Sequence, residues 1–260
     1  MSIIYCGDIH GRSKDLYCIV QAAENKGCKH IIQVGDFGLF WPTTNAVKRF
    51  NRNGRLLTWR TSEIDQWITK RAKRGKWTAE ILTCGGNHDN WNAYYELWEE
   101  QGRPDKIEVC EGSGVYWVAR GAQFDIQGIS HLFLGGAEST DQHHRTPDLS
   151  WWDREEPNKE EFGRFFDNLE DNRPDTVVTH DVPLRIEFDR MRRNSSVTPN
   201  MLENTLKHSK HRPRAWYYGH HHDLRKDKVK GTKFFGCGLH GQYWERELDD
   251  LGGAIHKEED

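Results

Sequence analysis

The sequence predicts an α/β fold, with strands forming a layered core and helices packed against it. Three observations carry that prediction. Short β-prone runs recur along the chain, most of them end in a polar turn rich in glycine, and helical spacing follows the first of them. At 260 residues the chain can bury a full core as one large domain, here residues 1–246.

Residues 2–6 are apolar and β-prone, and they discharge into Gly7-Asp8. After the His10-Gly11 turn, Leu16, Ile19, Val20 and Ala23 repeat at the three- and four-residue spacing of one helix face, up to a stop at Gly27. Residues 30–34 repeat the strand and lead into Gly35-Asp36, and residues 79–84 lead into Gly85-Gly86-Asn87-His88-Asp89. The polar stretch 41–78 reads as an insertion, with one amphipathic helix at 62–73 that places Ile64, Trp67 and Ile68 on one side. Glycine-separated β runs at 115–118, 124–126 and 129–134 suggest that residues 107–136 form an antiparallel portion. Loop 137–157 carries Asp141, His143, His144, Arg145, Trp151 and Trp152, too aromatic for a plain linker. Strands at 175–179 and 214–218 end in His180 and in Gly219-His220-His221-His222. The acidic tail 247–260 is expected to fray.

Composition narrows the class. A formal charge of −3 exerts no global pull toward nucleic acid or an anionic membrane. Residues 42–78, however, hold ten Lys or Arg against Glu63 and Asp65, a surface suited to phosphate although such runs are usually solvated faces. The six cysteines are widely spaced, without a Cys-x-x-Cys pair, so they read as reduced core residues and point to the cytoplasm. No signal peptide is visible at the N-terminus, and no apolar stretch approaches the roughly 20 residues of a membrane span.

The polar clusters at the strand ends supply carboxylate, imidazole and amide groups. Such a mixed oxygen and nitrogen set suits two divalent metals, Mn²⁺ foremost with Fe or Zn as alternatives, more than Ca²⁺ or a thiolate site. A metal pair about 3.5–4 Å apart needs a bridging carboxylate, and Asp36, with Gly35 before it to permit a tight turn, is the candidate bridge.

In order, Asp8-x-His10, Gly35-Asp36, Gly86-Asn87-His88-Asp89, His180 and Gly219-His220-x-His222 resemble the five blocks of the calcineurin-like metallophosphoesterase superfamily. The resemblance runs from Asp8 to His222. It implies a four-layer α-β-β-α sandwich with two central mixed sheets. By that similarity Asp8, His10, Asp36 and His222 hold one metal, and Asp36, Asn87, His180 and His220 hold the other, with a metal-bridged hydroxide attacking a phosphate ester. His88 then protonates the leaving oxygen, with Asp89 orienting it.

Departures from relatives bear on substrate. The protein Ser/Thr phosphatase branch continues its second block as Gly-Asp-x-Val-Asp-Arg-Gly and ends its third in Glu. Here those positions read Gly35-Asp36-Phe37-Gly38 and Asp89. The missing arginine favours a phosphodiesterase acting on a nucleotide or nucleic acid over a protein or small-molecule phosphomonoesterase. A non-catalytic scaffold is the alternative of another class, although no ligand position is lost. Elsewhere the plainer readings stand. Asn90 is a helix cap and Trp91 a core aromatic. Strand alternation points His221 away from the ligands. Trp151 and Trp152 pack the loop by default, with base stacking as the functional alternative. His143, His144 and Arg145 are a solvated loop unless they reach the substrate phosphate.

Overall fold

Residues buried on both faces dominate the first strands. Ile3, Ile4, Tyr5 and Cys6 are all inaccessible, as are Ile31, Ile32, Ile81 and Leu82, which is the pattern of parallel strands covered on either side. The computed structural model describes residues 2–41, 49–50, 56–57, 62–75, 78–186, 188, 196–240, 242–247 and 254–256. One sheet has, from edge to edge, Ala254–His256, Tyr243–Glu247, Ser2–Cys6, His30–Gln33, Glu80–Thr83, Val115–Val118 and Lys106–Glu108. The other has Arg225–Val229, Thr232–Gly236, Ala215–Tyr218, Thr176–Thr179, Ile129–Leu134 and Gln123–Ile126. The central pairings are parallel and the edge pairings antiparallel, so both sheets are mixed.

Period-two alternation in the second sheet sorts its side chains between two cores. Leu132, Leu134, Val177, Trp216, Tyr218 and Phe234 face the Lys159–Asp171 and Val197–His208 helices, meeting Phe162, Phe165, Leu202 and Leu206. Phe133, Val178, Tyr217 and Phe235 point the other way, into a core shared with the first sheet. There the rings of Tyr5 and Tyr217 stack with centroids 3.5 Å apart. Burying each such aromatic side chain contributes roughly 1.5–3 kcal/mol. The Tyr5 hydroxyl donates to Nε2 of His131 at 2.7 Å, and His131 Nδ1 donates to the Ile129 carbonyl at 2.8 Å. Burial pushes His131 down to about 3, so this inter-sheet imidazole stays neutral.

The outer layer on the first sheet includes the Ser13–Lys26 and Glu63–Arg74 helices. Gly27 stops the first at φ 67°, its N–H bonding the carbonyls of Ala23 and Glu24. Ser62 and Asp65 form a capping box at the start of the second, which buries Ile64 and Ile68 as its spacing predicts and packs Trp67 partly. Lys70, Lys73 and Arg74 of the basic stretch are exposed on this helix, while Arg71 pairs with Glu24 at 3.2 Å. Lys48, Arg52, Arg55, Arg60 and Lys76 lie outside the described residues.

One expectation changes. Residues 107–136 are not one antiparallel portion: Lys106–Glu108 and Val115–Val118 join the first sheet, whereas Gln123–Ile126 and Ile129–Leu134 join the second. Alternation identifies a strand but not its partner. Of the tail at 247–260, residues 248–253 and 257–260 lie outside the described residues; Tyr243–Glu247 pairs antiparallel with Ser2–Cys6, and Ala254–His256 pairs with it in turn. The six cysteines are free thiols. Among the described residues no helix is long and apolar enough to cross a membrane.

Candidate metal centre

Parallel pairing brings strand ends to one edge of each sheet, and the facing sheets bring those edges together. Asp8 follows the Ser2–Cys6 strand, Asp36 follows His30–Gln33, and Asn87 follows Glu80–Thr83 in the first sheet. His180 follows Thr176–Thr179, and His220 and His222 follow Ala215–Tyr218 in the second. His10, Asp36, His220 and His222 adopt φ of 50°, 55°, 65° and 55°, a left-handed conformation that costs free energy for non-glycine residues and clusters at functional sites. Gly35 and Gly86 let the turns close: a Cβ on either would overlap the His180 ring, and on Gly86 also the Asp36 carboxylate.

Two sets of donor atoms meet at Asp36. In one, the donors of Asp8, His10, Asp36 and His222 all lie within 4.8 Å of one another. His222 Nε2 is 3.0 Å from Asp8 Oδ2 and 3.1 Å from His10 Nε2, which is 3.8 Å from Asp36 Oδ2. In the other set, His180 Nε2 is 3.4 Å from Asp36 Oδ1 and 3.0 Å from Asn87 Oδ1, and His220 Nδ1 is also 3.0 Å from Asn87 Oδ1. Each oxygen of Asp36 thus faces one histidine set. Asp36 Oδ1 additionally accepts the His88 N–H at 2.7 Å.

The electrostatics fit divalent cations. Burial pushes His10 down to about 4 and lowers His220 as well, leaving neutral rings with lone pairs to give. His180 donates from Nδ1 to the Val34 carbonyl at 2.8 Å, which turns Nε2 toward Asp36 and Asn87. Burial opposes charge on that ring, but the Asp36 carboxylate outweighs it and raises its basicity. Burial would likewise raise the Asp36 carboxyl, yet the surrounding imidazoles of His180, His88 and His10 hold it well below the usual range. Asp8 moves the other way, raised chiefly by burial. A buried, anionic oxygen and nitrogen set without thiolate is the chemistry of Mn²⁺, Fe²⁺ or Zn²⁺ binding.

A second set of contacts, absent from any sequence motif, fixes the Asn87 amide. Its Nδ2 donates to Ser139 Oγ at 3.1 Å, and Ser139 donates from Oγ and N to the Glu155 carboxylate at 2.6 and 2.7 Å. Glu155 is buried, which pushes it up to about 7 despite those donors. Arg120 pins this part of the loop. Its guanidinium stacks 3.7 Å from the Trp91 ring and donates to the carbonyls of Gly135, Arg154, Glu155 and Glu156 at 3.1, 2.8, 2.9 and 3.1 Å. Neither spacing nor residue type marks Ser139, Glu155 or Arg120 in the sequence. Ser139→Ala, which frees the Asn87 amide to rotate, should weaken metal affinity by roughly 10- to 100-fold, read by titrating metal into stripped protein. Unchanged affinity would show that the amide needs no such support.

His88 lies at the mouth of the centre, its ring edge-on to His10 with centroids 4.9 Å apart. Its Nε2 accepts from Arg145 Nη2 at 2.7 Å. Burial, ahead of the Arg145 charge, lowers His88. Asp89 does not meet the expectation that it orients this ring. It is fully buried, and among the described residues its hydrogen bonds come from the backbone N–H groups of Phe37, Gly38 and Gly86 at 3.2, 2.8 and 2.7 Å. It therefore ties the Asp36 turn to the Gly86 turn. Burial pushes it up to about 6.

The plainer readings of Asn90 and Trp91 agree with the geometry. Asn90 caps the Trp91–Glu100 helix through the Ala93 N–H, and buried Trp91 donates to the Gly86 carbonyl at 2.8 Å. His221 pairs with Asp181 at 3.1 Å and stacks on Phe188 at 3.8 Å, but its donor atom lies within 4.8 Å of one on His220, so it does not turn away from the ligands as alternation suggested. No sequence block marks Asp181, yet its carboxylate lies within 4.8 Å of donor atoms on both His220 and His221. Trp152 is in the core, Trp151 is half-buried, and His143 and His144 are exposed.

The chain matches the calcineurin-like phosphoesterase family over residues 1–224. A crystal structure of a similar protein superposes with a TM-score of 0.59 at 12% identity, covering 98% of each chain. The protein TT1561 of Thermus thermophilus superposes with a TM-score of 0.58 at 12% identity, covering 98% of this chain and 97% of that one. At that identity the likeness is one of fold. No curated protein matches by sequence.

Proposed function

Since the chain belongs to the calcineurin-like phosphoesterase family and is thereby a phosphoric ester hydrolase, we propose that it is a dinuclear phosphodiesterase acting on a nucleotide or nucleic-acid ester. The observation that carries the dinuclear part is Asp36, whose two oxygens face separate histidine sets, 3.4 Å from His180 and 3.8 Å from His10. Asp8, His10, Asp36 and His222 would hold one ion, and Asp36, Asn87, His180 and His220 the other. Divalent ions so held acidify water and neutralise charge on the phosphoryl group, and Mn²⁺ suits the donors best, with Fe or Zn as alternatives.

The chain's own residues do the rest. The glycine turns at Gly35 and Gly86 let the His180 ring and the Asp36 carboxylate seat directly against backbone, which fixes these two ligands. Asp89 keeps the two turns in register, and the His88 N–H bond to Asp36 sets the His88 ring at the mouth. From there Nε2, once it carries a proton, delivers it to the leaving oxygen. The diester preference rests on the second block, Gly35-Asp36-Phe37-Gly38, which lacks the arginine of the protein phosphatase branch. Free cysteines support a reducing, cytoplasmic setting.

The test is release of nitrophenol from a bis-nitrophenyl phosphodiester beside the matching monoester, with metal-stripped protein and added Mn²⁺. Diester turnover restored by Mn²⁺ is expected. Preferential monoester turnover would replace the diesterase reading with a phosphomonoesterase, and none with any divalent metal would favour a binding scaffold.

A further inference from the structure

We propose that Arg145 is the substrate-binding guanidinium of this centre, delivered by loop 137–157 to grip a non-bridging oxygen of the substrate phosphate. The proposal rests on the phosphoesterase reading above.

Arg145 differs from its neighbours on the loop. His143 and His144 are exposed, whereas the Arg145 side chain keeps only 8% of its exposure and turns inward. It is held by Asp141, whose carboxylate is 2.6 Å from Nη2, and by a 3.4 Å bond from Nη1 to the Ser150 carbonyl. The same Nη2 reaches His88 Nε2 at 2.7 Å. The loop is not free to wander, since Arg120 binds the carbonyls of residues 154–156 and Ser139 binds Glu155. Arg145 is therefore presented at a set position, next to the atom that must face the ester's leaving oxygen.

Arg120 shows what a purely structural arginine looks like in this fold. Its side chain is 2% exposed, and its donors go to four backbone carbonyls and to Glu161 at 2.9 Å. Arg145 instead spends a donor on a neutral imidazole nitrogen, a weak acceptor for a guanidinium. Phosphate oxygens are far stronger acceptors, and the planar fork of arginine matches them. An arriving phosphate would draw the guanidinium off His88 Nε2 while Asp141 keeps it in reach. One movement then grips the substrate and frees His88 Nε2 to take up from solvent the proton it later delivers. Charge points the same way: Asp8 and Asp36 lie in the floor of the site, and an anionic ester approaching them needs a cation at the mouth.

The probe is inorganic phosphate, measured by calorimetry on the Mn²⁺-loaded protein, with metal content recorded for each variant. Arg145→Ala should weaken phosphate binding by about 10- to 100-fold, the range for a lost hydrogen bond to a charged group, and leave metal content unchanged. Arg145→Lys, which keeps charge without the fork, should fall between and covers the case in which the alanine variant folds poorly. Asp141→Asn should weaken phosphate less than Arg145→Ala. Unchanged phosphate affinity in Arg145→Ala and Arg145→Lys, or a wild-type protein that binds no phosphate, overturns the proposal. Phosphate binding that depends on Arg145 in a protein that turns over neither ester would uphold this site and overturn the proposed hydrolysis, so the two failures are distinct.

Discussion

Asp36→Asn should leave the centre unable to hold its full complement of metal, and turnover should fall by at least about 10²- to 10³-fold. The substitution keeps shape and removes one negative charge where both sets of donors converge, 3.4 Å from His180 and 3.8 Å from His10. An amide also turns an –NH₂ group toward one of those sets, which repels a cation and cannot bridge. Around it His10 and His220 are neutral rings, so the carboxylates, with Asp36 at the junction of both sets, supply the charge that would compensate divalent ions. Metal analysis of dialysed protein checks the result. A full metal content with wild-type turnover would remove Asp36 from the bridging role and with it the dinuclear reading.

His88→Asn should do the opposite: metal content intact, turnover lower by about 10²- to 10⁴-fold. The backbone N–H of residue 88 still bonds Asp36, and the metal-set distances do not involve the His88 ring. What is lost is a proton for the leaving oxygen. The loss should therefore be smallest for nitrophenol esters, whose leaving group needs little protonation, and largest for alkyl esters. A rate that falls equally for both would assign His88 to binding or positioning, and undiminished activity would sink its role altogether. Together the two variants separate holding the metals from using them.

Some of this was legible without coordinates, because it depends on spacing alone. Helical repeats placed Ile64 and Ile68 on the buried face of the Glu63–Arg74 helix, and Asn90 stood where a cap must stand. Short β runs ending in a polar residue, preceded by glycine in every case but His180, marked each turn that now brings Asp8, Asp36, Asn87, His180, His220 or His222 to the centre. The strand-and-turn grammar is local, so a linear reading recovers it.

Other features were decided by tertiary structure. Asp89 follows His88 in sequence, but successive residues of the turn face different ways, and its buried carboxylate serves backbone N–H groups about fifty residues away, at Phe37 and Gly38. The strand at Arg225–Val229 went unread because an edge strand carries charge and lacks an apolar run, and Tyr243–Glu247, although flanked on both sides, because charged residues interrupt its apolar start. Ser139 supports Asn87 across 52 residues, and Arg145 reaches His88 across 57. Such contacts leave no period and no motif, because they arise only when two sheets and a pinned loop fix distant segments at hydrogen-bond range. By itself the sequence determined the chemistry of the donors and the turns that present them. Tertiary structure decided which donor faces which, what holds Asn87 in its orientation, and that a cation waits beside His88.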